Sequence, residues 1–379
     1  MPTIAGRHHI LRQPTEIIDH IMSYLYDDRK SLLACSLAHS ILLPSATKIL
    51  LGTRLHVSPL IFSGLLPALI APSVNLREGL CCITTLILDA TEQPNTIFRC
   101  CDWNHAMSSF QTLRYLKLFC VDFGEFGNFV DLVCGFPALE ALSLSGVMWE
   151  RTGGTSPVGG YRRINRPFCI PSLDLNEKNA VDLIQWILAH DEFPPIDVLY
   201  IDAYTHKPED KGLFRQFVGK CKESIRELKI EVLCADYERS DTNDFLGLSL
   251  YNNLRRLHLH NIVLFGGVPL VAPIPLRIPL LLSKLTSTPL EEIVFTVLIR
   301  YSRDLDLLDW NIINEHLSIA RFPTLKAVHV RVSGLEGTTS HVLVAHSLRE
   351  RKLFQAQLDG ILTLEFIGER AAASEGENQ

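Results

Sequence analysis

LRYLKLFCVDFGEFGNFVDLVCGFPALEALSL, residues 113–144, carries the same apolar triplet twice, as Leu113-Leu116-Leu118 and Leu139-Leu142-Leu144. The spacing is L-x-x-L-x-L, with x any residue. The last two apolar positions stand two apart, so in an extended chain both side chains point to one face. The triplet recurs upstream as Ile83-Leu86-Leu88. Downstream it recurs as Ile170-Leu173-Leu175, Ile196-Leu199-Ile201, Ile225-Leu228-Ile230 and Leu254-Leu257-Leu259. Leu290-Ile293-Phe295, Leu325-Val328-Val330 and Ile361-Leu364-Phe366 complete ten copies, spaced 26 to 36 residues apart. Such a period is the signature of stacked units, each burying its apolar face against its neighbours.

Between the triplets lie helical patterns, clearest in Ala180–Ala189 and Leu213–Cys221. Strand, crossover helix and parallel strand repeat along the chain, which makes the expected class α/β with a parallel sheet. The array resembles leucine-rich repeats. It departs from them at the ninth position, where the family carries Asn or Cys. This chain has Thr91, Val121, Val147, Lys178, Tyr204, Leu233, Ile262, Leu298, Ser333 and Glu369 there. The expectation is an irregular leucine-rich-repeat-like solenoid over residues 51–370, with about ten strands.

If the apolar positions face the core, the third, fifth and seventh face the open side of the sheet. Those positions yield the candidate substrate-binding residues Tyr115, Lys117, Phe119, Tyr200, Asp202, Lys229, Arg256, His258, His260, His329 and Arg331. Ala141, Ser143, Ser145, Asp174, Asn176, Glu227 and Glu231 share the face. Aromatic and Arg side chains on one surface suit protein recognition.

Residues 11–46, LRQPTEIIDHIMSYLYDDRKSLLACSLAHSILLPSA, follow another rule. Ile17, Ile18, Ile21 and Leu25 recur at helical spacing behind Pro14, a residue tolerated in a first helical turn. Ser31 is placed to cap a second helix, and Pro44 marks a third. Three helices in about 40 residues bury too little apolar surface to stand alone. In order and spacing, Pro14-Thr15-Glu16-Ile17-Ile18, Asp27-Asp28, Ser31-Leu32, Cys35-Ser36-Leu37 and Leu43-Pro44-Ser45 resemble the F-box that opens many fungal F-box proteins. Gln13 and Leu42 stand where that family carries Leu and Trp.

The resemblance implies a three-helix F-box over residues 10–50 docking on the Skp-type adaptor of a Skp–cullin–F-box ubiquitin ligase. The repeats would then hold a substrate protein whose identity is unknown. It points to Pro14, Glu16, Ile17, Ile18, Ile21, Leu25, Leu32, Leu37 and Leu42 as adaptor-facing or supporting positions, without separating the two roles. The other reading is a leucine-rich-repeat interaction scaffold that recruits no ligase, its helices capping the first repeat.

Composition bounds the remaining classes. The 379 residues are 47% hydrophobic with a formal charge of −6, which fits a globular chain and no nucleic-acid partner. The ten cysteines form no CxxC, there is no Asn-x-Ser/Thr sequon, and the N-terminus reads as no secretory signal. A cytoplasmic or nuclear protein is expected, with residues 1–9 and 371–379 as a tail and a disordered tail. Residues 262–282 are apolar enough to imitate a membrane span. Pro269, Pro273, Pro275 and Pro279 oppose a continuous helix, so a buried or partner-facing loop and no membrane are expected.

The Gly-rich stretch 150–168 carries Arg151, Arg162, Arg163 and Arg166 and reads as a basic surface loop. No GxSxG, HExxH or GxxxxGK[ST] motif occurs. Cys100 to His105 places nucleophile and base types in one loop with nothing to orient them. His258, His260 and His329 read as exposed histidines rather than metal ligands. No catalytic residue, metal or cofactor is expected, and the chain is read as a non-enzyme.

Overall fold

The structure is a computed structural model. It describes residues 14–26, 28–38, 41–58, 80–92, 110–150, 163–164, 166–176, 179–202, 211–232, 248–264, 274–285, 289–318, 320–334 and 362–366. The expected tails, the Cys100–His105 loop, Arg151 and Arg162 lie outside these residues. Two compact units form, Met1–Ile170 and Pro171–Gln379.

The first unit opens with α1 (Thr15–Ser23), α2 (Arg29–Ala38) and α3 (Leu43–Leu51). Pro14 stands just ahead of α1, and its carbonyl accepts from the N–H groups of Ile17 and Ile18 at 3.0 and 3.3 Å. The cap of α2 is Asp28 rather than Ser31. Its carboxylate accepts from the Ser31 N–H at 3.0 Å and the Ser31 hydroxyl at 2.6 Å, because a cap must accept from the first turn. Pro44 falls in the first turn of α3. Ile18, Met22, Leu32 and Ala46 form a shared core, with Leu25, Cys35, Ile41, Leu42, Ile49 and Leu50 packed against it. The Ser45 hydroxyl donates to Asp19 at 2.5 Å and Lys48 lies 3.6 Å from the same carboxylate, tying α3 to α1.

Among the described residues eleven strands follow one another in chain order. In the first unit β1 (Arg54–Val57), β2 (Thr85–Asp89), β3 (Tyr115–Phe119) and β4 (Ala141–Ser145) pair in parallel. β5 (Cys169–Leu175) comes next in the chain. In the second unit β6 (Ile196–Asp202), β7 (Glu227–Glu231), β8 (Arg256–Leu264), β9 (Glu292–Ile299), β10 (Ala327–Ser333) and β11 (Leu362–Phe366) do the same. The register stacks the triplets: Leu86, Leu116 and Leu142 face one another, as do Leu199, Leu228, Leu257, Ile293 and Val328. All of these are buried.

Parallel neighbours need crossovers. Among the described residues the crossover helices are α4 (Phe126–Gly135), α5 (Ala180–Leu188), α6 (Lys211–Cys221), α7 (Ile274–Lys284) and α8 (Trp310–His316). Their buried faces close the core. In the first unit the rings of Phe126 and Phe129 lie 4.8 and 5.5 Å from Trp149. Stacked parallel strands with one apolar triplet each and short crossovers make this a leucine-rich-repeat-like fold.

Four features differ from the sequence reading. All ten triplets become strands, but β1 is an eleventh, hidden because its first triplet position is Gly52, at φ +61°. The Asn or Cys ladder is replaced by packing, since Val121, Val147 and Ile262 are fully buried at the ninth position. The residue before them turns left-handed in all three repeats: Cys120, Gly146 and Asn261 have φ of +52°, +61° and +52°. Asn261 tolerates this conformation better than Cys120 does.

Residues 265–273 of the proline-rich segment, with Pro269 and Pro273, lie outside the described residues, and the rest of it is not loop. Ile262 to Leu264 finish β8, and α7 runs through Pro279. Pro275 costs nothing in a first turn, and the bond lost at Pro279 is offset by burial of Ile278, Leu281, Leu282 and Leu285. Arg321 secures the end of this helix, donating to the carbonyls of Leu282, Ser283 and Leu285 at 2.6 to 3.0 Å. No helix among the described residues is long and apolar enough to cross a membrane.

Candidate functional site

The first candidate surface is the outer side of α1. Helical spacing turns Ile18 and Met22 inward, where both are buried, and turns Ile17 and Ile21 outward, 46% and 57% exposed. Tyr24, 75% exposed, continues the outer stripe, its ring edge-on to His20 at 5.2 Å. Sequence reasoning missed Tyr24 and the exposed Tyr26, although the i, i+4, i+7 spacing from Ile17 to Tyr24 marks one face.

The structure separates roles that the sequence left merged. Pro14, Glu16, Ile17 and Ile21 are exposed, Ile18 and Leu32 are core, and Leu25 and Leu42 are half-buried against that core. Leu42 and Ile41 both pack against that core. The Leu37 side chain lies outside the described residues.

The second candidate surface is the open face of the sheet. In the first unit Tyr115 is exposed and Lys117 and Phe119 are half-buried. In the second unit, cross-strand register sets Tyr200, Lys229 and His258 side by side, then Val294 and His329. The Asp202 side chain lies outside the described residues.

Charges on this face pair with one another. Glu227, nearly buried, takes Arg256 Nη2 at 2.7 Å on one oxygen and Lys229 Nζ at 3.1 Å on the other, with His258 Nε2 4.0 Å away. Glu231 accepts from the Tyr200 hydroxyl at 2.9 Å and from the Asn261 amide. His329 lies 3.6 Å from Glu292 and 3.4 Å from Glu365, and Arg331 Nε donates to Glu365 at 2.8 Å.

The histidines are not exposed as expected. His258 and His329 side chains keep 14% and 21% of their exposure, and their strand neighbours shield the rest. Burial pushes His258 down to about 4, Glu227 opposes that, and His260, Lys229 and Arg331 add to it. Burial also lowers His260, whose ring lies 5.4 Å from His258 and whose Nε2 is buried without a hydrogen-bond partner among the described residues. A β-bulge between Leu259 and Ile262 takes His260 and Asn261 out of register with β9, while His260 stays opposite Glu231 of β7. Among the described residues no group of His, Cys, Asp and Glu is arranged to hold a metal ion.

Two residues escaped the sequence reading for opposite reasons. Glu227 belongs to the face but was not picked as a binding residue, because its burial under Arg256 and Lys229 depends on register. Val294, fully buried, breaks the polar pattern between His258 and His329. From the basic loop, Arg163 is exposed, whereas Arg166 is structural: it donates to the carbonyls of Leu139 at 2.9 Å and of Phe136.

No protein-family model matches the chain, and no curated protein matches it. Among solved structures it is similar to the leucine-rich repeat-containing protein LegL7 from Legionella pneumophila. The two share 16% identity at a TM-score of 0.42, over 80% of this chain and 91% of that one.

Proposed function

We propose that this chain is a substrate-recognition adaptor of a Skp–cullin–F-box ubiquitin ligase. The single observation that carries the reading is the outer stripe of α1. Ile17, Ile21 and Tyr24 hold an apolar face in water while the opposite face of the same short helix builds the core. An exposed apolar stripe of this kind suits a partner's groove. Together with the ordered resemblance from Pro14 to Ser45, it favours the Skp-type adaptor as that partner.

The repeats then hold a substrate protein on the open side of the sheet. The adaptor acts by proximity, raising the concentration of bound substrate near a ubiquitin-loaded enzyme, and needs no catalytic group or cofactor of its own. A protein working this way belongs in the cytoplasm or nucleus, where that ligase operates.

The test is co-purification of the full chain with a Skp-type adaptor. Ile17→Asp with Ile21→Asp should abolish recovery while circular dichroism stays unchanged, since neither residue is in the core. Wild-type chain that recovers no adaptor sinks the reading. It would leave an interaction scaffold without ligase recruitment, which the repeat fold supports by itself.

A further inference from the structure

The strands of the two units carry opposite charge balances. In the first unit β1 to β4 hold Arg54, His56, Lys117 and a single carboxylate, Asp89. In the second unit β6 to β11 hold six carboxylates, from Asp197 to Glu365, against the three cations Lys229, Arg256 and Arg331. A chain of formal charge −6 thus keeps a cationic patch on its first four strands.

Register places the side chains of that patch on the open face. One row reads Arg54, Thr85, Tyr115 and Ala141, and the next reads His56, Ile87, Lys117 and Ser143. A third holds Asp89, Phe119 and Ser145. Asp89 is already occupied: it lies 3.4 Å from His56 Nε2 and accepts from the Thr91 N–H at 3.0 Å. Among the described residues Arg54 and the half-buried Lys117 form no ion pair, whereas Lys229, Arg256 and Arg331 each hold a carboxylate. Lys117 stands between Ile87 and Ser143, neither of which can neutralise it. An ammonium partly withdrawn from water carries a cost that a facing anion offsets. Tyr115, 44% exposed, and the half-buried Phe119 flank Lys117 two residues away on either side. The strand therefore presents aromatic, cation and aromatic in line, each roughly 7 Å from the next.

We propose that the open face of β1 to β4 docks an extended acidic segment of the substrate protein with the pattern apolar–x–acidic–x–apolar. Its carboxylate meets Lys117, and its apolar side chains cover Tyr115 and Phe119. An extended segment repeats its side chains on one face every second residue, the same spacing as the strand beneath it. The pattern reads alike in both directions, so a parallel and an antiparallel segment fit equally. Arg54 favours a further acidic residue on the β1 side, and the acid surplus of the second unit disfavours such a segment there. This inference rests on the recognition role proposed for the sheet face.

The test selects peptides from a displayed random library on the full chain, with no adaptor present, and measures the selected peptides by fluorescence anisotropy. Wild type should enrich the apolar–x–acidic–x–apolar pattern. Lys117→Glu should bind those peptides about tenfold more weakly and should prefer the same peptides with the acidic residue changed to Lys. That reversal of preference is a readout which a misfolded variant would not give. Arg331→Gln, in the second unit, should leave binding unchanged. Selected peptides without an acidic residue, or peptides that bind Lys117→Glu as tightly as wild type, overturn the proposal. Binding that falls with Arg331→Gln instead also overturns it, but leaves recognition on the sheet face standing in the second unit. A wild-type chain that retains no peptide at all counts against both.

Discussion

The outer face of α1 and the open face of β6 to β11 are both offered to solvent, yet they solve that problem in opposite ways. On α1 the exposed residues are Ile17, Ile21 and Tyr24, and although Tyr24 meets His20 through its hydroxyl and ring, the apolar surface of the stripe stands in water. On the sheet Glu227, Glu231, Glu292 and Glu365 each find a cation, histidine, hydroxyl or amide on a neighbouring strand. A surface paired with itself survives in water and exchanges partners at low cost. An apolar stripe gains by staying covered. The contrast fits a lasting contact at the helices and a changeable one on the sheet.

The sharpest way to break the comparison is to mutate the two faces of α1 separately. Ile18→Ala removes a core side chain of the three-helix cluster and should cost about 3 kcal/mol in denaturant unfolding. Ile21→Ala, on the outer face, should change stability by less than about 0.5 kcal/mol while reducing adaptor recovery. Equal stability losses would mean that α1 has no free face.

That asymmetry marks the limit of what the sequence tells. The triplets predict every strand they occupy, because period-2 burial is local and repeats ten times. Strand β1 escapes the triplet pattern because Gly52 supplies no apolar side chain at the first position, and the two-residue slip that sets Leu362 rather than Leu364 opposite Val328 escapes it because register is set between strands. The spacing from Ile17 to Leu25 announces a helix, but which side meets α2 and α3 depends on packing. So does the burial of His258. A seventh- or fifth-position side chain reads as open until its strand neighbours are known, and Glu227, Lys229 and Val294 stand beside His258 only once β7 to β9 are in register. Pro279 misled because the apolar gain at Ile278 and Leu282 outweighs one missing bond.

The histidine face is tested by acid. His258 sits at about 4 in the fold, below its ordinary value of 6.5, chiefly through burial. Below 6.5 the unfolded chain binds a proton that the folded chain refuses. Stability is thus full above that pH and falls as pH drops toward 4, by roughly 2–3 kcal/mol for this group. Unfolding midpoints measured from pH 7 to 4 should fall less steeply in His258→Gln. A variant as acid-sensitive as wild type would place the loss elsewhere.

Turn geometry gives a smaller effect. Gly334 follows β10 at φ +79°, and an added Cβ would come within 2.5 Å of Leu298 Cδ1 and 3.1 Å of the Ile299 carbonyl oxygen. Gly334→Ala should cost about 2 kcal/mol. Gly127, inside α4 with nothing within 4 Å, should instead accept Ala with a gain of up to about 1 kcal/mol. Opposite signs in a thermal-melt comparison are the expected result, and a loss at both positions would argue against the open space beside Gly127.

A comparably small effect at neutral pH concerns Tyr251, which is fully buried while its hydroxyl finds no hydrogen-bond partner among the described residues. On the open face of the sheet Glu227, Glu231, Glu292 and Glu365 have partners; here a hydroxyl is buried alone, so the fold carries a desolvation cost that returns nothing. Tyr251→Phe removes the hydroxyl and keeps the ring, and should raise stability by about 1 kcal/mol. The two proteins should diverge further in alkali. Burial, with Cys221 adding, holds the Tyr251 phenol well above its usual 10, so above that pH the unfolded chain releases a proton that the folded chain keeps. Stability present below pH 10 is then lost as pH rises, at about 1.4 kcal/mol per pH unit for this group, and the Phe variant should be spared that part of the decline. Parallel unfolding curves for the two proteins between pH 9 and 11 would show that the phenol is solvated after all.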